Sequence, residues 1–316
     1  MNRFGCITTL LFITLTLSNP LQAQQSHSLK GEIQISGAFA LYPLMVRWAK
    51  EFKQIHKGVR IDITAGGAGK GMTDVLSGVV DVAMVSRHIY PEEAKLGAFK
   101  IGVAKDAVVA TLNTGHPLIT TITAQGITRR KARRIWSAPA VRTWGEILGT
   151  GSTIPAHIYT RSDACGAGES WGGWLGMLQE DLEGTAVFGD PGVSSAVQKD
   201  KVGLGFNNLA YVYDQRTRRP YKGLTVYPID VDENGFISPD ENFYDTIDHL
   251  IEAIASGRYP SPPARELYLV TKGKPQTPLL KAFLSFILTR GQAWARETGF
   301  VPLTPEAAER ELLHLE

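Results

Sequence analysis

The chain has 316 residues, of which 43% are hydrophobic and 20% are charged, and its formal net charge at pH 7 is +2. These proportions are ordinary for a globular protein, and they carry no excess of positive charge, so we expect no nucleic-acid partner. The length fits one large domain or two domains of medium size.

The N-terminal segment, MNRFGCITTLLFITLTLSNPLQAQQ, predicts a secretory signal peptide over residues 1–23. Arg3 gives a positive start, an apolar run extends from Ile7 to Leu17, and Ala23 supplies the small residue before a cleavage site. The run is too short for a transmembrane helix, and no later stretch is apolar enough to cross a bilayer. We therefore expect an exported, periplasmic mature protein that does not span the membrane.

The next ninety residues predict alternating strands and helices. Residues 31–36 alternate like a strand, and apolar residues then recur at helical spacing from Leu44 to Ile55. Residues 59–64 form a second predicted strand, followed by the glycine-rich AGGAGKGM, a helix over 72–77 and a strand over 79–86. This order predicts an α/β sheet, in which ligands lie at the carboxyl ends of strands beside helix N-termini.

The remaining chain continues with strands and helices. A helix with a solvated basic face is predicted over residues 127–136, another from Trp171, and a long amphipathic helix over 279–299. Further strands are predicted over 105–113, 156–162, within 201–213, 224–231 and 265–273, and a further helix over 242–257.

Two segments of small residues, 66–71 and 164–168, each follow a strand and open a helix. Small residues let a ligand approach backbone N–H groups at the positive end of a helix, so both segments favour anion binding. The alternative is that they mark tight turns. Arg161 before one segment and Arg87 after a strand end favour the anion site. The spacing of a nucleotide P-loop is not met.

Cysteine and histidine give no catalytic pattern. Cys6 leaves with the signal peptide, so Cys165 is the only cysteine of the mature chain and no internal disulfide is expected. A lone cysteine with no histidine nearby in sequence is more often inert packing than a nucleophile.

The stretch DVDENGFISPDE, residues 230–241, matches the calcium-loop pattern D-x-[DN]-x-[DN]-G-x5-E. A strand is predicted to enter it and a helix to leave it, so we predict a single structural Ca²⁺ site that braces one lobe, not a paired sensor. A chance acidic turn is the alternative. The predicted ligands are Asp230, Asp232, Asn234, the backbone carbonyl of Phe236, Ser238 through a water, and Glu241.

Several segments together resemble one family. They are SGAFALYPLMVRWAKEF, AGGAGKGMTDVLSGVVDVAMVSR, YTRSDACGAGESW, VGLGFNNLAYVY and the C-terminal LYLVTKGKP and GFVPL. In order and spacing, over nearly the whole mature chain, the sequence resembles the periplasmic phosphate-binding protein of the phosphate ABC transporter, a type II periplasmic binding protein.

The resemblance implies an α/β fold of two lobes joined by crossover strands, with lobe 1 formed by residues 28–104 and 273–316 and lobe 2 by residues 105–272. It implies a monomeric, non-enzymatic protein without a catalytic cofactor, which captures inorganic phosphate or a related oxyanion between the lobes and delivers it to an ABC permease. The implied ligand-binding residues are Phe39, Ala40, Ala68, Gly69, Ser86, Arg87, Arg161, Cys165, Gly166 and Ala167.

This sequence departs from the family at most positions that usually carry a side-chain group. Phe39 stands where the family offers a threonine hydroxyl, Ala68 where it offers serine, and Cys165-Gly166-Ala167 where it reads serine-glycine-threonine. Ser86 stands where well-known members have a carboxylate, and Arg161 carries over unchanged. The loss of that acceptor predicts weak discrimination between protonated phosphate and sulfate.

Three alternatives remain open at this stage. The protein could bind a different oxyanion, or it could sense an anion for a membrane signalling protein and transport nothing. A hydrolase would need a general base near Arg161, for which Asp163 and Glu169 are the candidates, although acidic residues there also suit helix N-termini.

Overall fold

The structure is a computed structural model that describes Met1, residues 29–139 and residues 141–316. The predicted signal peptide falls almost wholly outside these residues and stays a prediction. Within the described chain, nine strands form one curled sheet with helices packed on both halves.

The strands are β1 (Lys30–Gly37), β2 (Gly58–Ala65), β3 (Val82–Val85), β4 (Ala98–Asn113), β5 (His157–Arg161), β6 (Thr185–Val187), β7 (Gly203–Asn208), β8 (Leu224–Val226) and β9 (Ala264–Lys272). The helices are α1 (Tyr42–Ile55), α2 (Ala68–Ser77), α3 (Pro91–Lys95), α4 (Ile119–Gln125), α5 (Arg129–Ile135), α6 (Trp144–Leu148), α7 (Gly166–Leu175), α8 (Gly189–Lys199), α9 (Ile247–Ala255), α10 (Pro278–Leu288), α11 (Ala293–Thr298) and α12 (Pro305–Leu315).

Two parallel units are joined by antiparallel strands. The order is β2-β1-β3-β9-β4-β7-β5-β6, with β8 on β4. The β2-β1-β3 pairs and the β7-β5-β6 pairs are parallel, whereas β9 and β4 run antiparallel to each other and to their outer neighbours. Parallel pairs place strand carboxyl ends at one edge, which is where ligands bind in α/β sheets.

Two separate hydrophobic cores define the two lobes, and β4 and β9 pass from one core to the other. On β4, Ile101 and Ala104 belong to the first core and Ala107 to the second. On β9, Ala264 belongs to the second core, but Leu267 to Val270 belong to the first. The chain therefore passes from lobe 2 to lobe 1 within β9, and not after residue 272, because the side chains in the second half of β9 pack on lobe 1.

The structure differs from the sequence prediction at several helices. The small-residue segments are the first turns of α2 and α7, so these helices begin earlier than predicted, at Ala68 and Gly166. The predicted helix over 279–299 is divided into α10, a 3-10 turn and α11. It breaks at Thr289 (φ −109°, ψ −97°), and the next turn presents the Gly291 carbonyl to Trp48 Nε1 at 2.8 Å.

Among the residues that the structure describes, none of the helices has both the length and the apolarity needed to traverse a lipid bilayer.

Candidate functional site

Three helix N-termini meet between the lobes, after β1, β2 and β5. Phe39 and Ala40 open a 3-10 turn that leads into α1, Ala68 opens α2, and Gly166 opens α7. The first N–H groups of a helix have no partner within it, so they are free to bind an acceptor. Eight of the predicted residues line this recess, named here the Arg161 recess: Phe39, Ala40, Ala68, Ser86, Arg161, Cys165, Gly166 and Ala167.

The guanidinium of Arg161 is buried and held by two carboxylates. Its Nε and Nη2 donate to Asp163 at 2.8 and 2.6 Å, and its Nη1 donates to Asp190 at 2.6 Å. Burial works to lower the pKa of Arg161, but the carboxylates of Asp190 and Asp163 outweigh it and the pKa is raised. Because a guanidinium has five N–H bonds, two remain without a partner among the described residues, one on each terminal nitrogen.

Asp190 and Asn208 were missed by the sequence analysis. Asp190 is fully buried at the start of α8, where it accepts from the Asn208 backbone N–H at 2.8 Å and from Asn208 Nδ2 at 2.7 Å. The Gly-Asp-Pro start of α8 marks an acidic helix N-terminus, but only the pairing of β5 with β6, which sets Val187 opposite Arg161, brings it to the arginine. With these bonds, Asp190 fixes the position of the arginine and not of a ligand.

The carboxylate of Asp163 accepts three hydrogen bonds. It takes both Arg161 bonds and a third from the Gly189 N–H at 3.0 Å. These bonds hold the Asp163 carboxylate against Arg161, which argues against a role as a general base.

Arg265 connects the crossover strands β4 and β9 to α7. From β9 it donates to Asp106 on β4 at 2.9 Å, to Ser170 Oγ on α7 at 3.0 Å and to the carbonyl oxygen of Gly166. The crossover strands and the N-terminal turn of α7 are therefore held as one unit.

The two lobes touch at the recess. A Cβ added at Gly166 would overlap the carbonyl oxygen of Ser86, which lies on the other lobe. The lining side chains leave no cavity that would hold a water molecule. An anion the size of phosphate can therefore enter only if the lobes separate or the lining shifts.

Gly69 and Arg87 do not lie in the recess. Both line a neighbouring interlobe cavity of about 750 Å³. Arg87 is bound at 2.6 and 2.9 Å by Glu93, and Tyr90 stacks on its guanidinium with 4.2 Å between Cζ and the ring centroid. Its charge is thus neutralised within lobe 1, which argues against the ligand-binding role predicted for it.

In the same cavity, one carboxylate of lobe 2 binds three groups of lobe 1. Glu169 on α7 accepts from Tyr90 Oη at 3.0 Å, and it lies 2.8 Å from His88 Nδ1 and 3.5 Å from Arg87 Nε. Burial and the charge of Glu169 raise the pKa of Tyr90 to about 12, so the phenol keeps its proton and donates. We call this set the interlobe latch.

Cys165 caps α7. Its backbone has an extended conformation, and its Sγ accepts from the Gly168 N–H at 3.3 Å. Burial raises the pKa of the thiol to about 12, although Arg161 acts in the opposite direction. A neutral, buried thiol is a poor nucleophile, in line with the packing role expected from the sequence.

The structure brings together the carboxylates of the 230–241 segment. One oxygen each from Asp230, Asp232 and Glu241 lie within 4.8 Å of one another. Asp230 accepts from the Gly235 N–H at 2.9 Å, and Glu241 accepts from Ser238 Oγ at 2.7 Å. Burial and the neighbouring carboxylates raise the pKa of Asp230, which is the effect that a bound cation would remove.

The flanks of this segment are less regular than predicted. β8 ends at Val226 and α9 begins only at Ile247, so neither borders the segment directly. The segment is instead anchored by the Ile237 N–H, which donates to the carbonyl oxygen of Ala124 on α4 at 2.8 Å. Asn234 and Phe236 are exposed at its tip, where the Phe236 N–H donates to Asn234 Oδ1 at 3.0 Å.

A profile of the PBP superfamily domain matches residues 22–290. The phosphate-binding protein PstS of Pseudomonas aeruginosa is 24% identical to the chain, over 92% of this chain and 89% of its own length. Protein SphX of Synechococcus elongatus is 23% identical, over 94% of this chain and 85% of its own.

Solved structures agree with the fold. A Clostridium perfringens structure described as a phosphate ABC transporter substrate-binding protein with bound phosphate superposes with a TM-score of 0.70 at 22% identity, covering 87% of this chain and 100% of that one. An ABC-type phosphate transport receptor of Vibrio cholerae gives a TM-score of 0.62 at 18% identity, covering 86% and 100%. The predicted two-lobed type II fold is confirmed.

Proposed function

Because the chain belongs to the PBP superfamily, we propose that it is an extracytoplasmic solute-binding protein that captures inorganic phosphate in the Arg161 recess and delivers it to an ABC permease. In this proposal the chain is exported by its signal peptide, acts as a monomer in the periplasm and performs no catalysis. The names of the relatives support phosphate as the ligand.

The single observation that carries the proposal is the state of Arg161. Its two N–H bonds that have no partner among the described residues lie one on each terminal nitrogen, and a guanidinium binds oxyanions through such N–H groups. Asp163 and Asp190 take its other donors and prevent the guanidinium from rotating away. Backbone N–H groups of three helix N-termini supply the remaining donors without any side-chain hydroxyl.

The proposed mechanism is a population shift. Arg161, Gly166 and Ala167 belong to lobe 2, whereas Phe39 and Ala68 belong to lobe 1. An anion that binds all of them favours the closed form, since only that form offers both sets of contacts. Because Ser86 and Gly166 approach so closely, an anion can enter only when the lobes part or the lining shifts.

The test is a calorimetric titration of phosphate into the ligand-stripped mature chain, residues 24–316, with sulfate as the comparison and calcium present throughout. Phosphate binding that is lost in Arg161→Ala, with the fold intact by circular dichroism, supports the proposal. No heat with phosphate, or equal binding of sulfate, means that this chain has a different ligand from its named relatives.

We also propose that residues 230–241 bind a structural Ca²⁺. The contiguous motif, the convergence of Asp230, Asp232 and Glu241 and the raised pKa of Asp230 support it. Glycine at residue 235 has φ +94°, a backbone conformation that the sharp turn of a calcium loop requires. Since Ile237 is bonded to α4, an ion here would brace lobe 2.

A further inference from the structure

A groove next to the Arg161 recess crosses from one lobe to the other. Its volume is about 970 Å³, within the range of small-molecule sites. We call it the aromatic groove, because its walls are dominated by aromatic and aliphatic side chains. They include Phe39, Tyr42, Val46 and Ile63 of lobe 1 and Tyr211 and Tyr221 of lobe 2.

Phe39 is shared by the Arg161 recess and the aromatic groove. It lines the recess and the groove, and its ring centroid is 5.6 Å from Arg161 Cζ. Edge-to-face contacts at 6.5 Å with Tyr211 and 5.9 Å with Phe188 hold the ring, and Tyr211 Oη donates to the Phe39 carbonyl oxygen at 3.0 Å. The groove thus begins one side chain away from the anion-binding guanidinium.

The hydrogen-bond requirements of the ligand follow from its substituents. Inorganic phosphate presents four oxygens, and each oxygen that is buried without a partner costs binding free energy. In this recess a ring stands at residue 39 in place of a hydroxyl donor, and Ala68 and Ala167 also lack hydroxyls. A phosphorus oxyanion in which one oxygen bears or is replaced by a carbon group has three oxygens to satisfy, and its fourth substituent is best placed against an apolar wall.

We propose that the Arg161 recess and the aromatic groove form one composite site, which takes an organic phosphate monoester or phosphonate with its PO₃ group at Arg161 and its carbon substituent along Phe39. This inference rests on the proposed function, because it places the phosphorus oxyanion at the same arginine. It adds that free phosphate is not the only ligand and that Phe39 selects for a substituent.

The experiment compares inorganic phosphate, phenylphosphonate and phenyl phosphate by calorimetry on the mature chain. The two organic ligands distinguish a direct P–C bond from an ester. We expect at least one of them to bind no more than about tenfold more weakly than phosphate. Phe39→Thr is expected to move the preference toward phosphate by at least about tenfold, because it removes the wall and restores a hydroxyl.

Tyr221→Ala tests the groove without touching the recess. It should weaken the organic ligand several-fold and leave phosphate unchanged. Leu313→Ala, which truncates an exposed apolar side chain outside the groove, is the matched control and should change neither.

The outcomes separate the two proposals. Phosphate binding without comparable binding of either organic ligand overturns this inference and leaves the proposed function in place. Organic-ligand binding that survives both Arg161→Ala and Gly166→Ala overturns it too, since the ligand is then elsewhere. If neither phosphate nor the organic ligands bind to folded protein, the proposed function fails along with it.

Discussion

The Arg161 recess and the 230–241 segment each contain several charged side chains, but different groups balance their charges. In the recess, one buried cation is enclosed by Asp163 and Asp190 of the same chain. In the segment, among the residues that the structure describes, three carboxylates receive bonds only from N–H and O–H groups of the segment itself. The arginine is therefore paired without a ligand, whereas we expect the segment to be stabilised by an external cation. Four predictions test this difference, from the largest expected effect to the smallest.

The largest effect is expected from Arg161→Gln. It leaves two buried carboxylates without their cation, so we expect a loss of about 3–5 kcal/mol in the free energy of unfolding together with loss of anion binding. Denaturant unfolding measures the first and calorimetry the second. Arg134→Gln, at an exposed arginine on α5, is the control and should change neither. A fully stable Arg161→Gln protein would show that the carboxylates do not depend on the arginine.

Gly166→Ala should weaken anion binding without removing any charge. The added Cβ overlaps the Ser86 carbonyl oxygen of the opposite lobe, and overpacking of this kind costs about 1–3 kcal/mol, or roughly 5- to 150-fold in affinity. Gly173→Ala, later on the same helix and with open space at its Cβ, should leave affinity unchanged. Equal affinities in the two variants would mean that closure at Ser86 is not needed for binding.

Calcium should stabilise the protein, and Asp230→Ala should abolish the effect. At calcium tenfold above the dissociation constant the gain is about 1.4 kcal/mol, which raises the melting temperature by a few degrees. Asp240→Ala removes an exposed carboxylate that the motif does not use, and it should keep the calcium response. A response of the same size in Asp230→Ala would contradict the proposed site.

The smallest effect is expected from Glu169→Gln in the interlobe latch. The change removes the charge that faces Arg87 and His88 across the lobes but keeps the acceptor for Tyr90. Because the latch is partly exposed, we expect only a few-fold loss of anion affinity, with the free energy of unfolding little changed. Glu180→Gln, at an exposed carboxylate lining the same cavity, is the control. An unchanged affinity in Glu169→Gln would remove the latch from the closing mechanism.

The same comparison explains what the sequence could predict. The calcium-type segment was found because its twelve residues are contiguous and each has a fixed place in the motif. Arg161 and the N-terminal residues of α2 and α7 were found from short local patterns and from the family resemblance. Asp190 was not found, because its role depends on the pairing of β5 with β6 and on the position of α8.

Three features that the sequence analysis misplaced also depend on contacts that local sequence does not show. Arg87 was expected in the recess because it follows a strand end, yet Glu93 and Tyr90 hold it in lobe 1. The long C-terminal helix was predicted from apolar periodicity, which continues across Thr289 although the backbone there does not. The boundary between the lobes was placed after β9 on the family resemblance, whereas the side chains of β9 divide between the two cores.

The rate at which a reagent alkylates Cys165 would report on the opening of the lobes. Cys165 is the only thiol of the chain expected after export, it is 6% exposed, and it faces both the Arg161 recess and the cavity of the interlobe latch. A reagent can alkylate it only during an excursion that exposes the sulfur. When reclosing is fast, the modification rate is proportional to the equilibrium constant for opening, and when reclosing is slow, it equals the opening rate. Measuring the alkylation rate of Cys165 against anion concentration would therefore show how strongly a bound anion suppresses the opening of the lobes.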